Sequence, residues 1–188
     1  MPLSSLDVTP ALVVIDLQKG IVGIPAAHPT AGIVHRAAEL ARAFRAHGLP
    51  VVLVNVTGRA PGRTEVQFPV RALPPDWSEL TPELDPQPSD LLIGKHCWGA
   101  FLGTSLDATL RECDVTQIVL AGISTSIGVE STARSAYDLG YNVVLVADAM
   151  TDRSAEAHRH STEAIFPRLG EICSTAELLH ALAQKAPR

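Results

Sequence analysis

An apolar run that stops in a small-residue turn and passes straight into a helix restricts this chain more than any other feature. It lies at 118–130, IVLAGISTSIGVE. Ile118 to Ala121 predict a buried strand that breaks at Gly122, and Ser124-Thr125-Ser126 form the turn. The helix runs on as VESTARSAYDLG, with Gly128 placed where it begins. In open α/β sheets such a turn sits at the carboxyl end of its strand, where ligands bind. The unpaired N–H groups of the helix's first turn then point into the crevice. Gly128 has no side chain to cover those groups, so a substrate oxygen gaining negative charge fits against them. The same residues also read as an ordinary strand, turn and helix in which Ser and Thr are caps.

The flanking chain repeats the alternation. PALVVIDL (10–17) predicts a buried strand with Asp16 near its end, and VVLVNV (51–56) a second strand. Between them Ile33, Val34, Ala37, Leu40, Ala41 and Phe44 recur at helical spacing, with Gly48 as the stop. DLLIGK (90–95), YNVVLVAD (141–148) and GEICS (170–174) complete six strands; helices are expected over 104–113, 154–168 and from Thr175 onward. Strand–helix alternation calls for βαβ units and a parallel sheet, in one domain spanning 1–188. Hydrophobic residues are 46% but aromatics only 4%, so the core is aliphatic, as suits parallel strands covered by helices. A net charge of −5 without a basic cluster argues against nucleic acid as partner. Three scattered cysteines, no basic leader and no apolar run of membrane length lead to the expectation of a cytoplasmic protein in a reducing compartment.

Polar residues that end apolar strands carry the functional reading. Asp16 and Lys95 end two strands and the 122–128 turn ends another, and a doubly wound sheet opens all these ends onto one edge. A carboxylate and an ammonium brought together in a dry crevice hold each other ionised and can move or stabilise a proton. Asp148 also ends a strand and reads as a helix cap or ion-pair partner. Trp98, Phe101 and Trp77 are candidate pocket aromatics. His158 and His160, two apart on a helix, point to different faces and read as solvated. Residues 58–89 hold seven prolines and read as a surface excursion, a subunit contact or a lid.

Three segments, in order, resemble the isochorismatase-like hydrolases over nearly the whole chain. LVVIDLQ (12–18) resembles the family's first-strand motif, whose catalytic Asp is Asp16 here. GKHCWGAFLGTSL (94–106) resembles the segment with the catalytic Lys, here Lys95, and LAGISTSIGVESTARSAYDLGYNVVLVADA (120–149) resembles the nucleophile region. The resemblance implies a three-layer α-β-α, Rossmann-like fold with a six-stranded parallel sheet in the order 3-2-1-4-5-6. It implies a non-proline cis peptide at Ile123–Ser124, whose Ser124 N–H, with that of Gly128, forms a two-donor anion pocket. It also implies a homo-oligomer, dimer to tetramer.

The chain departs from most of the family at Gly128, where the resemblance places a nucleophilic cysteine. Cys97, Cys113 and Cys173 do not match that position and read as packing residues, and Ser124 and Ser126 lack a matched base. Glycine here resembles the isochorismatases proper, in which the Asp protonates an enol ether and water adds to the resulting cation. Their Gln after the second strand falls near Thr57 here, and the Asp-x-His metal motif of the nicotinamidase branch is absent from 55–68. The expectation is therefore a hydrolase of a small carboxylate-bearing molecule, with no cofactor, metal or membrane partner. Asp16, Lys95 and Gly128 form its catalytic set, and Ser124, Thr125, Trp98 and Phe101 bind substrate or oxyanion. Two alternatives stay open: a binding protein that kept the crevice, and an amidase with another nucleophile.

Overall fold

The alternation of side chains along the first strand sets the layers. The computed structural model describes residues 3–65 and 73–185. In β1 (Pro10–Ile15) every residue is buried. Leu12 and Val14 enter one core with Ile33, Ala37, Leu40 and Phe44; Ala11, Val13 and Ile15 enter the other. That division is the period-two pleat of a strand covered on both sides. A short helix α1 (Lys19–Val22) follows, then α2 (Thr30–Ala46), β2 (Val51–Val56), β3 (Leu91–Lys95), α3 (Leu106–Glu112) and β4 (Gln117–Ile123). A π-turn (Thr125–Val129) leads into α4 (Glu130–Asp138), and β5 (Asn142–Thr151), α5 (Ala155–His160), β6 (Glu171–Cys173) and α6 (Thr175–Ala183) complete the chain.

The six strands are all parallel, in the order β3-β2-β1-β4-β5-β6. Helices α2 and α6 cover one face, through residues such as Phe44 and Leu178; α3 and α4 cover the other, through Leu106, Leu110, Ala133 and Ala136. The order in which strands are added reverses between β1 and β4, outward to β3 on one side and to β6 on the other. The ends of β1 and β4 therefore face the crevice where such sheets bind ligands. Among the described residues no helix is long and apolar enough to cross a membrane.

Two strand ends differ from the sequence reading. β4 does not break at Gly122 but runs through it to Ile123. Gly122 has φ +126°, and a Cβ there would lie 2.1 Å from the Ile15 carbonyl oxygen, so the close approach to β1 requires glycine. β5 does not stop at Asp148 but continues to Thr151, because the ladder shifts register between Leu120↔Leu145 and Gly122↔Met150. Asp148, in that irregular stretch, accepts from Thr175 N–H (2.7 Å) and Thr175 Oγ1 (2.9 Å) and pairs with Arg36. It thus holds the start of α6, the structural role expected of it.

Residues 77–80 of the proline-rich segment are strapped against the ends of β1 and β2. Leu80 bridges Gln18, whose buried side chain donates to the Val56 and Trp77 carbonyls and accepts from Val56 N–H. The Trp77 ring lies over Gly20, where a Cβ would fall 2.1 Å from it. Trp77 is thus a packing residue over α1 rather than a pocket aromatic. Residues 66–72 of the segment lie outside the described residues.

Candidate active site

Asp16 follows β1 directly, with its N–H bonded to the Val54 carbonyl and its backbone at φ +54°. That left-handed conformation is rare for a side-chain-bearing residue, and Asp is among the few that tolerate it. Lys95, the last residue of β3, reaches Asp16 with Nζ 2.8 Å from Oδ2. The same Nζ donates to the carbonyls of Trp98 (2.9 Å) and Cys97 (3.2 Å). Three acceptors meet the three N–H bonds of an ammonium, so the cation is fully satisfied though Lys95 is only 3% exposed.

Asp16 is 6% exposed, and no donor among the described residues reaches its Oδ1. Burial pushes its carboxyl up from the ordinary 3.8 to about 6; the charge and hydrogen bond of Lys95 pull the other way and do not win. One oxygen is thus committed to the lysine, and the other is free to hold a proton near neutrality.

The third side of the site is bare backbone. The Ile123–Ser124 peptide is cis. The Ser124 carbonyl accepts from Ile127 and Val129 N–H, the wide turn that brings Gly128 in. Gly128 is therefore not at the helix start but inside a π-turn that precedes it. A Cβ at Gly128 would lie 3.1 Å from Asp16 Oδ2 and 2.9 Å from the Ile15 Cγ2 methyl. Glycine is what lets this turn sit against the carboxylate. Gly128→Ala is expected to cost about 1–3 kcal/mol by overpacking against fully buried Ile15. Urea denaturation checks this, and an unchanged midpoint would show that the turn is not seated there.

The structure thus brings Asp16, Lys95 and Gly128 together, with Ser124 half-buried in the same turn. Two expected ligand contacts are not offered to a ligand by their side chains. Phe101 is 8% exposed and packs in the core beside Tyr141, ring centroids 5.9 Å apart. Thr125 is completely buried, its hydroxyl hydrogen-bonded to His158 Nδ1 at 2.8 Å. His158 is accordingly half-buried rather than free in solvent: it packs edge-on against His28, and burial, then His28, lower its pKa against the pull of Asp152. Trp98 is 64% exposed, with its carbonyl on Lys95. Cys173 is buried and its thiol pushed up to about 12 by that burial, away from thiolate chemistry.

Three residues that build the site's frame were not singled out from sequence. Thr132 accepts from Ala100 N–H and donates to the Gly128 carbonyl, joining the 97–104 loop to the turn. Gln18 ties the ends of β1 and β2 together, and buried Asp152 binds Ser126. Asp152 carries the signal of a strand-end carboxylate, hidden because β5 extends past Asp148. Among the described residues no three His, Cys, Asp or Glu side chains converge to hold a metal ion.

Known proteins share this fold and much of this sequence. The isochorismatase domain family matches residues 10–177. The isochorismatase family protein YecD of Escherichia coli is 46% identical over 181 residues, 93% of this chain and 96% of that one. The structure of an isochorismatase family protein from Burkholderia thailandensis superposes with a TM-score of 0.92 at 44% identity, covering 97% of this chain and 99% of the other. N-carbamoylsarcosine amidase from Thermoplasma acidophilum superposes at 0.75 with 30% identity, covering 89% and 96%.

Proposed function

This chain belongs to the isochorismatase family, and on that premise we propose that it is a hydrolase working by acid–base chemistry at Asp16, without a cysteine nucleophile. The reading rests on one observation above all: the buried Asp16–Lys95 pair faces Gly128, where no side chain can attack. Its substrate is a small molecule bearing a carboxylate. The N–H groups of Ser124 and Gly128, within the backbone of 124–128, serve as the anion pocket, and Lys95 is the electrostatic partner that keeps Asp16 oriented. Trp98, beside Lys95 in the chain, contributes an aromatic surface at the rim.

A carboxyl held at about 6 suits general acid catalysis, because the protonated form is populated and still gives up its proton readily. For an enol ether, Asp16 delivers its proton from Oδ1 to the terminal vinyl carbon. Water adds to the resulting oxocarbenium carbon and returns a proton to Asp16. The hemiketal then separates into ketone and alcohol.

The test is an assay of the purified full chain on isochorismate and on a panel of small amides, N-carbamoylsarcosine included. Turnover of the enol ether is expected, with a rate level below about pH 6 and falling about tenfold per unit above it. A rate that climbs through that pH would make Asp16 a base, not an acid. No turnover of any substrate, with tight binding of a carboxylate ligand, would favour a binding protein. Amide hydrolysis with a trapped thiol adduct would instead assign a cysteine.

A further inference from the structure

A buried carboxylate is costly unless it is fully bonded, and Asp152 is one that the chemistry above does not use. It lies just past β5 and is 4% exposed. Its Oδ2 accepts from both the N–H and the hydroxyl of Ser126, each at 2.8 Å. Ser126 belongs to the π-turn that carries Gly128. The competing role is capping of α5, since Asp152 Oδ1 also accepts from Ser154 N–H. That bond is longer, at 3.4 Å, and Ser154 already caps α5 with its own hydroxyl on Ala157 N–H. The short bonds therefore go to the turn. Asp152 is itself fixed, its carbonyl accepting from Ala27 N–H at 2.8 Å. The adjacent turn residue is held from the same side by the Thr125–His158 bond.

We propose that Asp152 is a positioning residue of the active site: through Ser126 it anchors the π-turn and keeps Gly128 seated against the Asp16 carboxylate. The inference rests on the reading of Asp16 as the site's acid. Gly128 is buried against the Asp16 carboxyl, so close that a Cβ would come within 3.1 Å of Oδ2, and the turn thereby adds to the burial of that group. When Ser126 is released the turn lifts, water reaches the carboxyl, and the effect of burial relaxes.

The experiment follows the Asp16 side-chain carboxyl carbon by NMR through a pH titration of the full chain. Asp152→Ala is expected to lower the Asp16 midpoint by about one unit or more as hydration returns. Asp152→Asn keeps an oxygen acceptor for Ser126 and is expected to restore the wild-type midpoint. Equal shifts in both variants would mean that the charge of Asp152 matters and its grip does not, which overturns the proposal; so does an unmoved midpoint in Asp152→Ala. Should that variant fail to fold, Ser126→Ala removes the hydroxyl half of the clamp. A smaller shift in the same direction is then expected, and none would overturn the idea. The readout needs no substrate. A shifted midpoint without turnover would leave the positioning intact while the catalytic reading failed, and turnover with an unmoved midpoint would sink this inference alone.

Discussion

Asp16→Asn is expected to lower turnover by about 10²–10⁴-fold, the usual worth of a positioned proton donor, in a protein that still folds. The amide keeps the shape of the carboxyl and an oxygen for Lys95, but it cannot deliver a proton. A variant retaining more than about a tenth of wild-type turnover would remove Asp16 from the role of acid. The same substitution has a signature in stability. The carboxyl's value in the folded chain is raised, from 3.8 to about 6. Its contribution to stability is therefore fully present below 3.8 and is lost as pH rises through about 6. The loss amounts to about 3 kcal/mol across that window. Asparagine does not titrate, so relative to wild type the variant should gain about that amount between the acid and the neutral end. Urea denaturation at both ends measures the difference. A pH-independent difference would mean that burial does not dominate at Asp16.

The strands were legible because buried parallel strands are written as apolar runs: β1 is one from end to end, β2 is broken only by Asn55, and β4 is apolar after Gln117. Asp16 and Lys95 were legible for the complementary reason: a charge at the end of such a run needs an explanation. That rule misplaced the end of β5. Asp148 interrupts the apolar run where the ladder shifts register, and the strand resumes beyond it. The carboxylate past the true end is Asp152. Local pattern also could not reveal the π-turn, because TSIG carries the residues of an ordinary cap. Its wide hydrogen bond from Val129 N–H to the Ser124 carbonyl depends on how β4 ends, not on propensity. His158 was misread for a related reason. Helical spacing assigns faces, but what covers a face is tertiary, and Thr125 and His28 come from distant segments. Phe101 illustrates the same limit: nearness in sequence to Lys95 did not decide whether the ring faced the crevice or Tyr141.

Lys95→Met is expected to cost about 3–5 kcal/mol at about pH 8, the penalty for leaving one partner of a buried pair uncompensated. In a chain of this size that is a fall in Tm on the order of 10 °C. The cost should shrink toward about pH 5, and the sign follows from what Lys95 does to Asp16. Its charge and its hydrogen bond are what lower the carboxyl's pKa; without them only the raising effect of burial remains. Asp16 then stays protonated to higher pH, and a raised carboxyl loses stability as pH climbs. Thermal melts at the two pH values test this, and equal losses would refute it. The double variant Lys95→Met with Asp16→Asn should recover much of the loss, since neither charge is then stranded, whereas additive losses would mean that the pair is not coupled. The consequence for catalysis runs in the same direction. The fall of rate with pH should move upward in Lys95→Met while the rate itself drops, because an acid that holds its proton too tightly transfers it poorly. On this account the lysine is what keeps a deeply buried carboxyl able to release its proton near neutrality.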